Sequence, residues 1–197
     1  MEVPISVPST STFAPTSFSP VFSYFNLNKV ETKGAELSII YKQNSIWKIE
    51  FGYQLLYAYD TEVIKAIERG ELYVRHPQTL ESMKLNKADY FGLFNRSRHM
   101  GNITFNYFLK DKTEFQIRFN GRSQYGLSDS NGNNILDKYD NFVKPYMLCD
   151  IASTHFINSE YSLQFGIKNV FDFTSPEHIT NIPGRHYYTT LTFKFKN

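Results

Sequence analysis

The chain has 197 residues, with 21 Lys and Arg against 19 Asp and Glu and a formal net charge of +2. Charge so near balance argues against a nucleic-acid partner, which calls for a concentrated basic surface. The single cysteine, Cys149, excludes a disulfide-stapled scaffold, and no apolar run reaches the ~18 residues of a transmembrane helix.

Aromatic residues make up 17% of the chain while mean hydropathy is only −0.40, a combination that suits half-buried β-strands better than a helical core. Residues 1–21 carry Pro4, Pro8, Pro15 and Pro20 and no Lys or Arg. They lack the regions of an export signal and read as an irregular N-terminal segment. From Phe22 on, period-2 alternation predicts strands. The first covers 22–30; after a break at Lys33-Gly34, the second covers 36–41. A polar turn at 43–45 leads into the run 45–59. There Trp47, Ile49, Phe51, Tyr53, Leu55, Tyr57 and Tyr59 share one face, and Lys48, Glu50, Gly52 and Gln54 share the other. Residues 61–70 predict a short helix, capped by Asp60 or Thr61 and ended by Gly70, inside a long loop over 60–92. Strands at 102–109 and 113–125 flank a tight turn at 110–112. A polar loop at 126–142 follows. Strands at 143–156 and 161–171 then flank a turn at 157–159, and a loop at 172–184 precedes the last strand, 186–195.

The fold class expected is all-β, an antiparallel transmembrane β-barrel segment of about eight strands. Short turns at 43–45, 110–112 and 157–159 alternate with the long loops 60–92, 126–142 and 172–184, the plan of a bacterial outer-membrane barrel. Strand length matches the ~9–11 tilted residues that cross a bilayer. In such a barrel the apolar face meets lipid and the polar face lines the lumen. An amphipathic strand by itself equally suits a soluble β-sandwich. A complete small barrel of eight strands is the other alternative.

One loop has a ligand-like pattern. Asp129, Asn131, Asn133, Asp137 and Asp140 place oxygen donors at loop positions 1, 3, 5, 9 and 12, and Ile135 offers its carbonyl at position 7. That is close to the EF-hand scheme and points to Ca²⁺, with Asp in place of Glu at position 12 and Asn134 in place of Gly at position 6. Arg96, Arg98 and His99, entering a strand after the longest loop, and Arg185, near His178 and His186, are candidates for binding an acidic ligand at the mouth. The competing reading of the Arg/His cluster is an anchor at the headgroup interface or a lining of the lumen. His76, His155, His178 and His186 show no metal-ligand spacing. No nucleophile elbow and no phosphate loop occurs, so no catalysis is expected. Cys149 reads as an inert buried thiol.

The C-terminal third carries a resemblance. Gly166, Asn169, Val170, Phe171 and Asp172 are similar to the "G-x-x-N-L-F-D" strand of TonB-dependent outer-membrane receptors, with Val170 at the Leu position. Pro183, Gly184 and Arg185 resemble the family's closing "P-G-R" element, and a final strand with Leu191, Phe193 and Phe195 on one face follows. The resemblance extends over residues 22–197. It implies a barrel of about 22 strands around an N-terminal plug, and import of a small chelate (a ferric siderophore, haem or cobalamin) across the outer membrane. The partners implied are outer-membrane lipid, the plug and remaining barrel, and an inner-membrane energy-coupling complex. With about eight strands and no plug, the chain is expected to be the C-terminal portion of such a receptor.

Overall fold

A computed structural model describes residues 2–4, 20–22, 29–110 and 112–195. The main element is a seven-stranded antiparallel meander. Its strands, in order across the sheet, are β3 (Val30–Gln43), β4 (Trp47–Asp60), β7 (His99–Leu109), β8 (Thr113–Arg122), β11 (Tyr146–Phe156), β12 (Tyr161–Lys168) and β13 (His186–Phe193). Sheet order follows chain order, and the strands β3 and β13 form open edges, so the barrel is partial. Three two-stranded ribbons accompany it: β1 (Glu2–Pro4) with β2 (Pro20–Phe22), β5 (Tyr73–Arg75) with β6 (Ser82–Lys84), and β9 (Tyr125–Ser128) with β10 (Asn141–Val143). The only helix of more than one turn among the described residues is α1 (Thr61–Arg69).

Among the described residues the main sheet has seven strands, in keeping with the partial barrel expected. The strand expected at 36–41 begins at Val30 and runs through Lys33-Gly34 without a break. Gly34 is there for close approach: a Cβ at this position would collide with the Leu55 carbonyl on β4. Most of the strand expected at 22–30 lies outside the described residues. In the segment expected to be irregular, Glu2–Pro4 and Pro20–Phe22 pair with each other. The strand expected at 113–125 stops at Arg122, and the one expected at 143–156 starts at Tyr146, because Tyr125 and Val143 belong to the β9–β10 ribbon. The run expected to 171 ends at Lys168, where Asn169 turns to φ 51°.

The register sorts side chains as the alternation requires. Ile49, Phe105 and Ile117 are aligned across β4, β7 and β8, followed by Ile151 on β11 and Ile167 on β12. Lys48, Asn106, Gln116 and Ala152 are aligned on the opposite face. The apolar face is uncovered, with Phe51, Ile103, Phe105, Phe165 and Leu191 all exposed. A contiguous apolar surface of this extent has to meet a non-aqueous environment. Aromatic rings border it at the short-turn end: Tyr41 touches Trp47 (5.4 Å between centroids), Tyr107 stacks on Phe115 (6.4 Å) and Tyr161 meets Phe193 edge-on (5.2 Å). Tyr53, Tyr57 and Tyr187 border the other end. From Trp47 to Tyr57 a strand tilted by ~40° rises about 25 Å, the height of a barrel's lipid-facing band.

The short turns are built from polar side chains and left-handed residues. Asn44 and Lys110 have positive φ. Asn158 Oδ1 accepts the N–H groups of Glu160 and Tyr161, both at 2.8 Å. Asp111 of the turn at 110–112 lies outside the described residues. On the polar face of β12 and β13 the Tyr188 ring lies across Gly166, in the space a Cβ would occupy. Gly166→Ala is therefore expected to lower the urea midpoint of the folded chain, by a loss of about 1–2 kcal/mol. An unchanged midpoint would show that the ring is free to move aside.

The chain divides into two compact units. Residues 32–58, 94–127 and 142–197 form the sheet unit. Residues 59–93 and 128–141, with the N-terminal residues, form the other. In that second unit Asp60 caps α1 by accepting the Glu62 N–H (2.8 Å), and Gly70 closes it at φ 73°. Ile67 on the inner face of α1 packs with Val74 of β5, Leu85 after β6 and Ile135 of the 129–140 loop. Two segments expected to be separate long loops thus share one small core.

Candidate functional site

Three places bear on function: the 128–141 loop, the turn that joins β12 to β13, and the polar face of the sheet.

The loop is folded around its own carboxylates. Asp129 accepts the N–H groups of Gly132 (Oδ1, 2.7 Å) and Asn134 (Oδ2, 2.7 Å). Asp137 is wholly buried; its Oδ2 accepts the side-chain amides of Asn131 (2.9 Å) and Asn133 (2.8 Å), and its Oδ1 accepts the Tyr139 N–H (2.8 Å). Asp140 accepts the N–H groups of Ser130 and Asp137, both at 2.8 Å. Asn134, in place of glycine, takes up φ 60°, as its short amide side chain permits. The side chains of Asp129, Asn131, Asn133, Asp137 and Asp140 therefore lie in one hydrogen-bonded loop, while the Ile135 side chain packs with Ile67, Val74 and Leu85. The donor types suit a hard cation. Their arrangement is one of mutual hydrogen bonding: the amide nitrogens of Asn131 and Asn133 face Asp137, and among the described residues no group of three His, Cys, Asp or Glu side chains is set to hold a metal.

Burial pushes the Asp140 carboxyl above the ordinary aspartate range. The N–H groups of Asp137 and Ser130 oppose this, and the neighbouring charges of Asp137 and Asp129 add to it. The folded loop then binds that proton more tightly than an opened loop, so closure strengthens as pH falls through the raised value toward the ordinary one. Amide exchange over 128–141, corrected for intrinsic chemistry, is expected to be slower in that window than at neutral pH. Asp140→Asn should flatten the difference; a difference that persists in the variant would assign it to another group.

The β12–β13 turn explains the Asn-Val-Phe-Asp and Pro-Gly-Arg elements physically. Asn169 is buried, and its Nδ2 donates to the carbonyls of Phe173 (2.7 Å) and Pro183 (3.0 Å) while its Oδ1 accepts the Phe173 N–H (3.0 Å). Its own N–H donates to Asp150 Oδ1 on β11 (2.9 Å). Asp172, at φ 55°, accepts the Arg185 N–H (2.6 Å), and its carboxylate fills the space beside Gly184 where a Cβ would sit. Gly166 lies under Tyr188, and Leu191 and Phe193 are on the apolar face. Phe171 is exposed in the turn, beyond the strand that was expected to include it, and Phe195 is exposed past the end of β13. Residues at both ends of a long loop are clamped by two side chains.

The polar face has side chains suited to hydrogen bonding. Gln54 donates to Glu36 (2.8 Å), Gln116 to Asn106 (3.0 Å) and Gln164 to Thr154 (2.9 Å), and Lys48 pairs with Glu50. Over Gly52 the face forms a concavity of about 610 Å³ lined by Glu36, Gln54, Asn102, Asn120, Arg122 and Tyr146. These residues were not singled out from sequence; the signal available was their shared phase in the alternation.

The basic candidates are placed differently. His99 has the phase of Ile103 and Phe105 on the apolar face; its Nδ1 is 2.7 Å from the Tyr53 hydroxyl and its ring stacks on Tyr53. The Arg98 guanidinium lies over the Tyr57 ring at 4.8 Å. Arg96 and Arg185 are exposed. Arg98 and His99 thus contact the aromatic rings Tyr57 and Tyr53 rather than the polar concavity.

A single antiparallel meander, apolar on one face and polar on the other, whose connections alternate between short turns and long loops, defines a segment of a transmembrane β-barrel. The sequence matches the family described as TonB dependent receptor-like, beta-barrel, over residues 3–170. The chain belongs to that family. The match takes in residues 3–21 and stops before the Pro-Gly-Arg strand. The fold is similar to that of the ferric enterobactin receptor PfeA from Pseudomonas aeruginosa, a G324V mutant (17% identity, 86% of this chain and 23% of that one, TM-score 0.55). It is similar also to that of the siderophore receptor PiuA from Acinetobacter baumannii (15% identity, 84% and 22%, TM-score 0.59). A third is the copper transporter OprC (14% identity, 84% and 24%, TM-score 0.54). The chain thus spans under a quarter of each of these proteins. No curated protein matches the sequence significantly.

Proposed function

We propose that the chain forms part of the wall and outer loops of an outer-membrane, ligand-gated importer for a scarce chelate: a ferric siderophore, haem or cobalamin. The observation that carries the reading is the two-faced sheet in a chain of this receptor family. Its polar face supplies the lumen wall, and its long loops supply residues for ligand specificity. Import needs no covalent chemistry on the chelate. It needs a hydrogen-bonding lumen, a plug, the remaining strands along the open edges β3 and β13, and energy from an inner-membrane complex. The ligand candidates of this reading include the polar concavity at Glu36, Asn102, Asn120 and Arg122.

Cells expressing the whole receptor, with its other chelate receptors deleted, test the proposal. Uptake of radiolabelled ferric siderophores, haem and cobalamin should show one accepted class, and deletion of residues 61–92 should reduce that uptake to background. Equal uptake of every class with and without the receptor would contradict it. Calcium binding by the 129–140 loop belongs to the same proposal and is supported by the oxygen donors at positions 1, 3, 5, 9 and 12. Calcium should slow amide exchange over 128–141 in the wild type and not in Asp129→Ala; identical behaviour would contradict it.

A further inference from the structure

Among the described residues, cations and an apolar hollow adjoin on the outward face of the sheet. At the long-loop end, Arg96, Arg98 and His99 follow one another into β7, and all three are exposed. Neither arginine has a carboxylate partner among the described residues. Arg98 is held over Tyr57 and His99 against Tyr53, so two of the three lie at the aromatic border of the apolar band. Next on the same face of β7 comes Gly101, paired with Gly121 of β8 and flanked in the row by Tyr53 and Met147. Neither glycine has a positive φ, and neither is crowded: a Cβ at Gly101 would meet nothing nearer than 3.5 Å, and one at Gly121 nothing nearer than 3.9 Å. Backbone geometry therefore does not demand glycine at either position. Below the pair the band resumes with Ile103 and Phe119, which are paired with each other.

We propose that this corner of the outward face is a binding site for a phosphorylated acyl lipid. The Arg98 guanidinium, held over Tyr57, takes the phosphate; Arg96, two residues before it in the chain, adds positive charge at the same entry into β7; and one acyl chain lies in the hollow over Gly101 and Gly121 between Tyr53 and Met147. Uncompensated cations at the edge of an apolar surface complement an anionic headgroup carried on an apolar chain. Arginine suits this role because its planar fork bonds phosphate oxygens in pairs while stacking on an aromatic ring. The proposal rests on the reading of the apolar face as lipid-facing and adds a headgroup preference to it.

Native mass spectrometry of the full chain, released from detergent micelles holding equal amounts of phosphatidic acid and the phosphate-free diacylglycerol with the same chains, tests the site. Bound phosphatidic acid is expected in about tenfold excess, the factor that one charge-assisted hydrogen bond supplies. The excess should vanish in the double variant Arg96→Gln, Arg98→Gln. Gly121→Leu, which the open space accommodates, should lower retention of both lipids. Inorganic phosphate at the same concentration should not compete, because it lacks the chain. Equal retention of the two lipids by the wild type, or an excess unchanged in the arginine variant, would overturn the site while leaving the membrane reading intact. A chain that remains soluble without detergent and retains neither lipid would overturn both.

Discussion

Replacing Asn169 by Ala is expected to destabilise the folded sheet by about 4 kcal/mol. The sum comes from three partners left unpaired at about 1 kcal/mol each and about 1 kcal/mol for alanine at positive φ. The partners are the Phe173 and Pro183 carbonyls and the Phe173 N–H. Asn169→Gly separates the contributions, because glycine takes the left-handed backbone without penalty and loses only the three side-chain bonds; its loss should be about three quarters as large. Urea midpoints of the detergent-refolded chain, at unchanged slope, report both. If Asn169→Ala unfolds like the wild type, the residue does not hold the β12–β13 turn.

The second large effect is expected at Asp137. This carboxylate is fully buried in the 128–141 loop and accepts three hydrogen bonds. Asp137→Ala would orphan all three donors, at about 1 kcal/mol each, so local opening of the loop should be favoured about a hundredfold. Amide exchange at Tyr139 and limited proteolysis within 128–141 would show it. The loop shares a core with α1 and the β5–β6 ribbon through Ile135, so protection of Val74 and Leu85 should fall as well. Loss confined to 128–141 would mean that the two segments are not coupled.

These two sites differ in how far they were legible beforehand. The carboxylate and amide spacing at 129–140 was visible in the sequence, and the structure does bring those residues together. Their mutual hydrogen bonding was not visible, since spacing says which groups can meet and not which atoms face each other. The Asn169 and Asp172 elements were recognisable as a motif, but the clamp between distant ends of a loop is a long-range contact with no periodic trace. The helix over 61–69 was legible because its caps are local: Asp60 precedes it and Gly70 follows it. The core that α1 shares with 128–141 was missed, although Leu72 and Val74, then Met83 and Leu85, alternate within a segment otherwise read as a loop.

The break expected at Lys33-Gly34 is not found, because the strand runs through it. Gly34 was read as a break because glycine usually weakens a strand, whereas here it admits the Leu55 carbonyl of the neighbouring strand. The distinction requires knowing the partner strand. His99 lay before the strand expected at 102–109; because β7 begins at His99, it takes the phase of Ile103 and Phe105, which places it outward.

The central claim is that the aromatic face of the sheet meets lipid. Trp47, the single tryptophan, sits on that face at the short-turn border, against Tyr41 and Phe105. Its fluorescence in vesicles of lipids brominated at different depths measures the claim directly. The account predicts blue-shifted emission, quenched strongly by bromines near the headgroup and weakly by bromines at the bilayer centre. Emission at a water-exposed wavelength, unquenched at every depth, would contradict it.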